Sequence, residues 1–136
     1  MRAAIFNGAG SVTVGDRPDP SIVEPTDAVV RVVLACVCGS DLWYFRGDTP
    51  FEPGPIGHEF IGVVEETGSA ITTLARGDFV IAPFAFSDGT CPNCQNGITT
   101  ACMNGGFFPQ NGDGGQGEAV RVPLADSTLV VVPGSG

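Results

Sequence analysis

The chain has no lysine, a single histidine, a single tyrosine and a single tryptophan, and its cationic side chains are six arginines. Fifteen acidic residues oppose them, for a net charge of -9. An acidic excess of this size repels polyanions, which excludes nucleic acid and anionic membrane surfaces as partners. Bound metal cations would offset part of it. No run approaches the roughly 20 consecutive apolar residues that cross a bilayer. The opening Met1-Arg2-Ala3-Ala4-Ile5-Phe6 reaches asparagine and glycine at once, so it lacks the apolar stretch of roughly 7 to 15 residues found in a signal peptide. A cytoplasmic location is the expectation. Sustained apolar periodicity at 3.6 residues is also missing, which excludes long helices.

What is present fits one domain. At 136 residues and 43% hydrophobic content, the chain can bury a single core, expected to span residues 1–136. Short apolar runs rich in β-branched residues alternate with Gly, Pro, Asn and Asp, the pattern of an all-β domain. Strands are expected at Ala3 to Phe6, Val12 to Gly15, Ala28 to Cys36, Phe60 to Glu66, Asp78 to Ala82, Glu118 to Val122 and Thr128 to Val132. Short helical turns fit after Cys38 and around Cys94 to Thr100, and the expected architecture is an irregular, mainly β barrel. The stretch Asn104 to Gly117 holds six glycines in fourteen residues and reads as a flexible loop. It is either a plain surface connection or the border of a cleft with Phe107 and Phe108 as apolar contacts. Its glycines are not set between a strand and a helix, so they are no dinucleotide fingerprint.

Two groups of residues carry chemistry. His58 lies in Gly57-His58-Glu59-Phe60-Ile61-Gly62, twenty residues after Cys38 in Cys36-Val37-Cys38-Gly39-Ser40-Asp41. Zinc favours sulfur and imidazole donors, and a catalytic zinc takes three protein ligands plus an open position, which Cys38, His58 and Glu59 can supply. A histidine and a thiol that are simply packed and never meet is the alternative. The second group is Asp88-x2-Cys91-x2-Cys94-x7-Cys102. Three cysteines and one carboxylate can close a tetrahedral structural zinc site in a lobe of about residues 87–103. Otherwise Asp88 is a turn residue beside three free thiols. Five cysteines are an odd number, and a C-x-x-C pair suits metal binding in a reducing compartment better than a disulfide framework. Cys36 matches neither set and is expected to be a packed thiol.

The run Gly57-His58-Glu59-Phe60-Ile61-Gly62, with Gly68 and Ile71 after it, resembles the zinc signature of the medium-chain, zinc-dependent alcohol dehydrogenases. Cys38-Gly39-Ser40-Asp41 resembles that family's first zinc-ligand segment, and Gly77-Asp78-Phe79-Val80 its G-D-x-V strand. Gln116-Gly117-Glu118-Ala119-Val120-Arg121-Val122-Pro123 is similar to a strand near the end of the family's catalytic domain, so the likeness covers almost the whole chain.

The resemblance implies a GroES-like β-barrel catalytic domain. It implies Cys38 and His58 as ligands of a catalytic zinc, with Glu59 beside the metal and a ligand in the polyol dehydrogenase branch. Ser40 matches the hydroxyl that bonds the substrate oxygen and starts the proton relay. Asp41 matches the carboxylate that orients the ligand histidine. Asp88, Cys91, Cys94 and Cys102 stand at the offsets of a four-cysteine structural zinc site, with aspartate in first place. Two zinc ions per chain, a nicotinamide cofactor (NAD or NADP), a small alcohol or carbonyl substrate and a homo-oligomer at full length are the corresponding expectations. Hydride transfer needs the family's dinucleotide-binding Rossmann domain, which these residues do not include, so turnover by this chain alone is not expected.

Two places depart from the family or stay open. Many members carry a histidine where this chain has Trp43, so the proton would leave through water or another group and the pocket by the zinc should be bulkier and more apolar. Trp43, Tyr44 and Phe45 read equally well as ordinary helix packing. Arg46 faces either a cofactor phosphate or solvent. Competing functions are a non-catalytic zinc-binding module on the same barrel, or a zinc-dependent lyase or dismutase.

Overall fold

A computed structural model of the chain describes residues 1–109 and 113–134. The fold is mainly β with three short helices. Strands β1 (Arg2–Gly8) and β2 (Ser11–Asp16) form a hairpin, and β1 also pairs with β4 (Gly54–Pro55). The principal sheet has five antiparallel strands in the order β10 (Val130–Val131), β6 (Phe79–Ala82), β5 (Phe60–Thr67), β3 (Ala28–Ala35), β9 (Ala119–Val122). A small pair, β7 (Ala85–Phe86) with β8 (Gly106–Phe107), completes the set. An isolated bridge from Ala3 to Gly117 links the hairpin sheet to the segment entering β9.

The alternation along β5 sets the core. Phe60, Gly62 and Val64 point inward, and Val30 from β3, Val80 from β6 and Val120 and Val122 from β9 meet them, all nearly inaccessible to solvent. Each such Val or Phe contributes about 1.5 to 3 kcal/mol by leaving water. Gly62 is required by close approach. A Cβ there would collide with the carbonyl oxygen of Arg31 on β3, where the β3–β5 register is irregular.

The expected strands are all present, with shifts at several edges. Thr128 ends the short helix α3 (Ala125–Thr128), so only Val130 and Val131 remain as strand from the expected Thr128 to Val132. The cause is a tertiary contact: the Asp126 carboxylate accepts N–H and hydroxyl hydrogen bonds from Thr72 and Thr73 at 2.7 to 3.0 Å, which docks the α3 turn. Asp78 likewise belongs to a turn, its carboxylate accepting the Ala75 N–H at 2.8 Å.

The glycine-rich stretch is less loose than its composition suggests. Gln110, Asn111 and Gly112 lie outside the described residues, but both flanks are packed. Phe108 is only 3% exposed and sits edge-on to Phe60 and Phe86, with ring centroids 5.3 and 5.5 Å away. It is therefore a core residue and not a cleft contact. Phe107 is 45% exposed and stacks on Phe84. On the far flank, Gly115 N–H donates to Gly57 O and Gln116 N–H to Ile56 O, at 2.9 and 3.1 Å.

Candidate metal centres

Cys38 lies in the loop between β3 and the helix α1 (Asp41–Phe45). That loop is closed reciprocally: Asp41 N–H donates to Cys38 O at 3.0 Å, and Cys38 N–H donates to the Asp41 carboxylate at 2.9 Å. The carboxylate at the helix start thus satisfies a backbone donor of the loop that leads into it. His58 is presented from the other side, by the turn that enters β5. Gly57 there has φ +100, and a Cβ would sit 2.6 Å from the Gln116 side chain and 2.7 Å from its backbone nitrogen. Only glycine fits that turn against Gln116. The two segments are tied by Cys36 N–H donating to Glu59 O at 3.0 Å.

The result is a convergent donor set. One ligand atom from each of Cys38, His58 and Glu59 lies within 4.8 Å of the others. Ser40 Oγ is 3.3 Å from Cys38 Sγ and 3.3 Å from His58 Nε2. His58 Nδ1 is 3.5 Å from Asp41 Oδ1, so Nε2 is the nitrogen directed at the sulfur and hydroxyl. Sulfur, imidazole and carboxylate in that arrangement suit a zinc ion with an open coordination position. The Asp41 carboxylate faces the far ring nitrogen, the side from which a ligating histidine is usually oriented, though at 3.5 Å it makes little hydrogen bond there.

Asp41 itself is 6% exposed. Its Oδ1 also accepts the Tyr44 hydroxyl at 2.5 Å, so Tyr44 does more than pack the helix. The signal was available, since positions three apart share a helix face. Burial and the adjacent Asp41 carboxylate push the Tyr44 phenol above its ordinary range, so its hydroxyl stays a donor. Trp43, by contrast, is 58% exposed. A cavity of about 230 Å³ beside Asp41 is lined instead by residues including Val37, Leu42, Tyr44, Phe45 and Ile56. Arg46 is exposed at the end of α1. Cys36 is exposed and not packed, because β3 ends one residue earlier and the chain leaves the sheet there.

The second group gathers as the spacing suggested. Asp88, Cys91, Cys94 and Cys102 bring one ligand atom each to within 4.8 Å of one another. Cys91 is the N-cap of the one-turn helix α2 (Pro92–Gln95), Cys94 lies within it, and Cys102 follows a 3-10 turn at Thr99–Ala101. Backbone N–H groups of Asp88 and Met103 point at Cys102 Sγ and Cys91 Sγ, at 3.3 and 3.5 Å. Hydrogen bonds from the backbone of Cys94 and Met103 draw the Cys91 thiol down, while burial pushes Cys94 up. Several thiolates beside a carboxylate coexist only around a cation, which is the chemistry of a structural zinc. Asp88 is held on both sides: Oδ1 accepts the N–H groups of Thr90 and Cys91 at 2.9 and 3.0 Å, and Oδ2 accepts Asn104 Nδ2 at 2.6 Å. Nothing in the sequence pattern singled out Asn104.

These two centres coincide with a family match. The alcohol dehydrogenase GroES-like domain is matched by residues 24–134. The chain belongs to that family. Among curated relatives, the medium chain reductase/dehydrogenase ucsI of an Acremonium species is 44% identical over 136 residues, covering 98% of this chain and 47% of the relative. A probable zinc-binding alcohol dehydrogenase of Mycobacterium tuberculosis is 38% identical, with 98% of this chain and 35% of the relative covered. Among solved structures, the alcohol dehydrogenase TADH from Thermus sp. ATN1 superposes with a TM-score of 0.87 at 41% identity, across 98% of this chain and 40% of that one. The apo form of zinc dependent alcohol dehydrogenase 2 from Streptococcus pneumonia gives a TM-score of 0.90 at 38% identity, across 98% and 39%. The GroES-like chain thus spans less than half the length of these relatives. Among the described residues no helix is long and apolar enough to cross a membrane.

Proposed function

We propose that this GroES-like domain is the catalytic-domain portion of a zinc-dependent, NAD(P)-dependent alcohol dehydrogenase that interconverts an alcohol with an aldehyde or ketone. The observation that carries the reading is the position of Ser40, whose hydroxyl lies 3.3 Å from both Cys38 Sγ and His58 Nε2. A purely structural zinc site has four protein ligands, whereas three donors beside a hydroxyl leave a position open for substrate.

Cys38 and His58, with Glu59 in reach, would hold the catalytic zinc. A zinc bound there would supply Lewis acidity, which favours ionisation of an alcohol's hydroxyl. Ser40 Oγ orients the substrate hydroxyl and receives its proton. Asp41 is a positioning residue that holds the His58 ring and the Cys38 loop together. With Trp43 exposed, solvent reaches the neighbourhood of α1 directly, and the proton passes to water instead of through a histidine. Arg46, exposed at the end of α1, is available to a cofactor phosphate. Asp88, Cys91, Cys94 and Cys102 would hold a second, structural zinc that stabilises the lobe at about 87–103 and does no chemistry. The whole chain forms one domain; its cysteines suit the reducing cytoplasm, and the family resemblance implies a homo-oligomer at full length.

The test is alcohol-dependent reduction of NAD⁺ or NADP⁺ by the zinc-loaded protein expressed from its natural gene, with and without Ser40→Ala. Turnover that falls by about 100-fold or more in the variant supports the reading, the range expected for a group that moves a proton in the transition state. A protein that binds zinc, turns over no alcohol and is indifferent to Ser40→Ala would instead be a non-catalytic zinc-binding module.

A further inference from the structure

We propose that Tyr44 is a positioning residue of the Cys38–His58 centre, acting through Asp41. The inference rests on reading Cys38 and His58 as metal ligands.

One carboxylate links the two ligand-bearing segments. Asp41 Oδ2 takes the backbone N–H of Cys38 at 2.9 Å, and Asp41 Oδ1 faces His58 Nδ1 at 3.5 Å. The second of these is long, so the imidazole does little to hold the carboxylate in place. The short contact is with the Tyr44 hydroxyl, at 2.5 Å on the same Oδ1. A hydroxyl donating to an ionised carboxylate is among the stronger hydrogen bonds in a protein. In this site it is the contact that fixes the plane of Asp41.

Tyr44 is well placed for that work because its own ring cannot move freely. It stacks on Phe51 with centroids 4.4 Å apart and 22° between the planes. Phe6 of β1, 2% exposed, meets it edge-on at 5.2 Å. The helix that carries it is pinned to the β1–β2 turn by Gly10 N–H donating to Phe45 O at 2.7 Å. Contacts therefore run from β1 to the Cys38–His58 centre: Phe6, with Phe51 from the segment before β4, to Tyr44, Tyr44 to Asp41, and Asp41 to Cys38 and towards His58. Packing alone would be served equally by phenylalanine. The chain's one tyrosine stands where a hydroxyl meets the buried carboxylate.

Deleting that hydroxyl has two opposed consequences. Asp41 Oδ1 regains electron density for His58, which would strengthen the imidazole as a ligand. The carboxylate also loses its shortest anchor, which spreads the orientations of both ligand segments. The second effect dominates, since at 3.5 Å there is little hydrogen bond to His58 to strengthen. Partners of ligating groups are typically worth 10- to 100-fold in metal affinity. Acting one contact further out, Tyr44 belongs at the low end, about 10-fold.

The experiment compares the wild-type protein with Tyr44→Phe, Asp41→Asn and the double variant, with Cys38→Ala as the reference for zinc held only in the cysteine lobe. Zinc affinity is read by chelator competition, coordination geometry by the visible spectrum of the cobalt-substituted protein after subtracting the Cys38→Ala spectrum, and fold by the melting temperature of the metal-free form. We expect about 10-fold weaker zinc at this centre in Tyr44→Phe, a shifted cobalt spectrum, and no further loss when Tyr44→Phe is added to Asp41→Asn. Unchanged affinity and spectrum would overturn the proposal, including the case where only the metal-free melting temperature falls. A loss that adds in full to that of Asp41→Asn would also overturn it, because Tyr44 would then act by another route. Should Cys38→Ala bind as much zinc as the wild type, the ligand assignment fails and the role of Tyr44 with it.

Discussion

Replacing Gly57 by alanine, with Gly77→Ala as its control, separates backbone strain from the seating of His58. The two glycines have nearly the same conformation, φ +100 and +98. They differ in their surroundings. A Cβ at Gly77 meets nothing within 4 Å, whereas one at Gly57 lies 2.7 Å from the Gln116 backbone nitrogen and 2.6 Å from its side chain. Gly77→Ala should therefore cost only the backbone term, about 1 to 3 kcal/mol. Gly57→Ala carries the same term plus a collision with main chain that cannot rotate away, about 1 to 3 kcal/mol more. At roughly 4 °C per kcal/mol for a domain of this size, melting temperatures should fall by about 4 to 12 °C and about 8 to 24 °C respectively. The site should also respond differently. Displacing residue 57 breaks the Gly115 N–H to Gly57 O contact of 2.9 Å and the presentation of the adjacent His58, so Gly57→Ala should lose zinc from this centre while Gly77→Ala keeps it. The assay is thermal unfolding by circular dichroism together with zinc content by elemental analysis. Equal losses of stability and equal zinc in the two variants would refute the argument that the 114–117 segment clamps the ligand turn.

Further outcomes follow from other contacts. His58→Ala should abolish zinc at the Cys38 centre and leave the cysteine lobe metallated, checked by elemental analysis; full retention of metal would end the ligand assignment. Asp88→Ala should weaken zinc in the lobe and lower the melting temperature, because it removes a donor and also frees Thr90, Cys91 and Asn104 from their shared acceptor; an unchanged zinc count and melting point would make Asp88 a bystander. Arg121→Leu should destabilise by about 3 kcal/mol, since it leaves the 1%-exposed Asp27 carboxylate without the guanidinium 2.6 Å away. Burial pushes Asp27 up, but hydrogen bonds from Arg121 and from the N–H groups of Glu24 and Val23 outweigh it, so its carboxyl titrates below the ordinary range. The stability this supplies is complete above a pH of about 4 and is lost as pH falls further. Melting temperature followed between neutral and acid pH should fall less steeply below that point in Arg121→Leu than in the wild type.

Most of the β architecture was readable from the residues, because seven runs of β-branched and aromatic residues between glycine and proline turns map onto real strands. The two-residue strands β4, β7 and β8 were not, since elements that short carry no alternation of their own. Helix α3 was hidden for a different reason. Its stability comes from Asp126 reaching Thr72 and Thr73, more than fifty residues away in sequence. Both donor sets were visible as spacings and residue types, and the structure brings each together. What spacing could not show was how each is held. The Tyr44 hydroxyl on Asp41, the Asn104 amide on Asp88 and the Gln116 backbone against Gly57 are contacts between segments, set by packing rather than by local pattern. Phe108 shows the limit of composition: its glycine-rich flanks suggested a flexible loop, as a surface connection or a cleft border, yet the ring packs against Phe60 and Phe86 and belongs to the core.

The central claim is a metal ion held by Cys38 and His58 beside the Ser40 hydroxyl. Diffraction from crystals of the zinc-loaded protein, recorded on either side of the zinc absorption edge, locates every bound zinc directly. The account predicts an anomalous peak in coordination with Cys38 Sγ and His58 Nε2, and a second among Asp88, Cys91, Cys94 and Cys102. Zinc confined to the cysteine lobe, with no peak between Cys38 and His58, would contradict it.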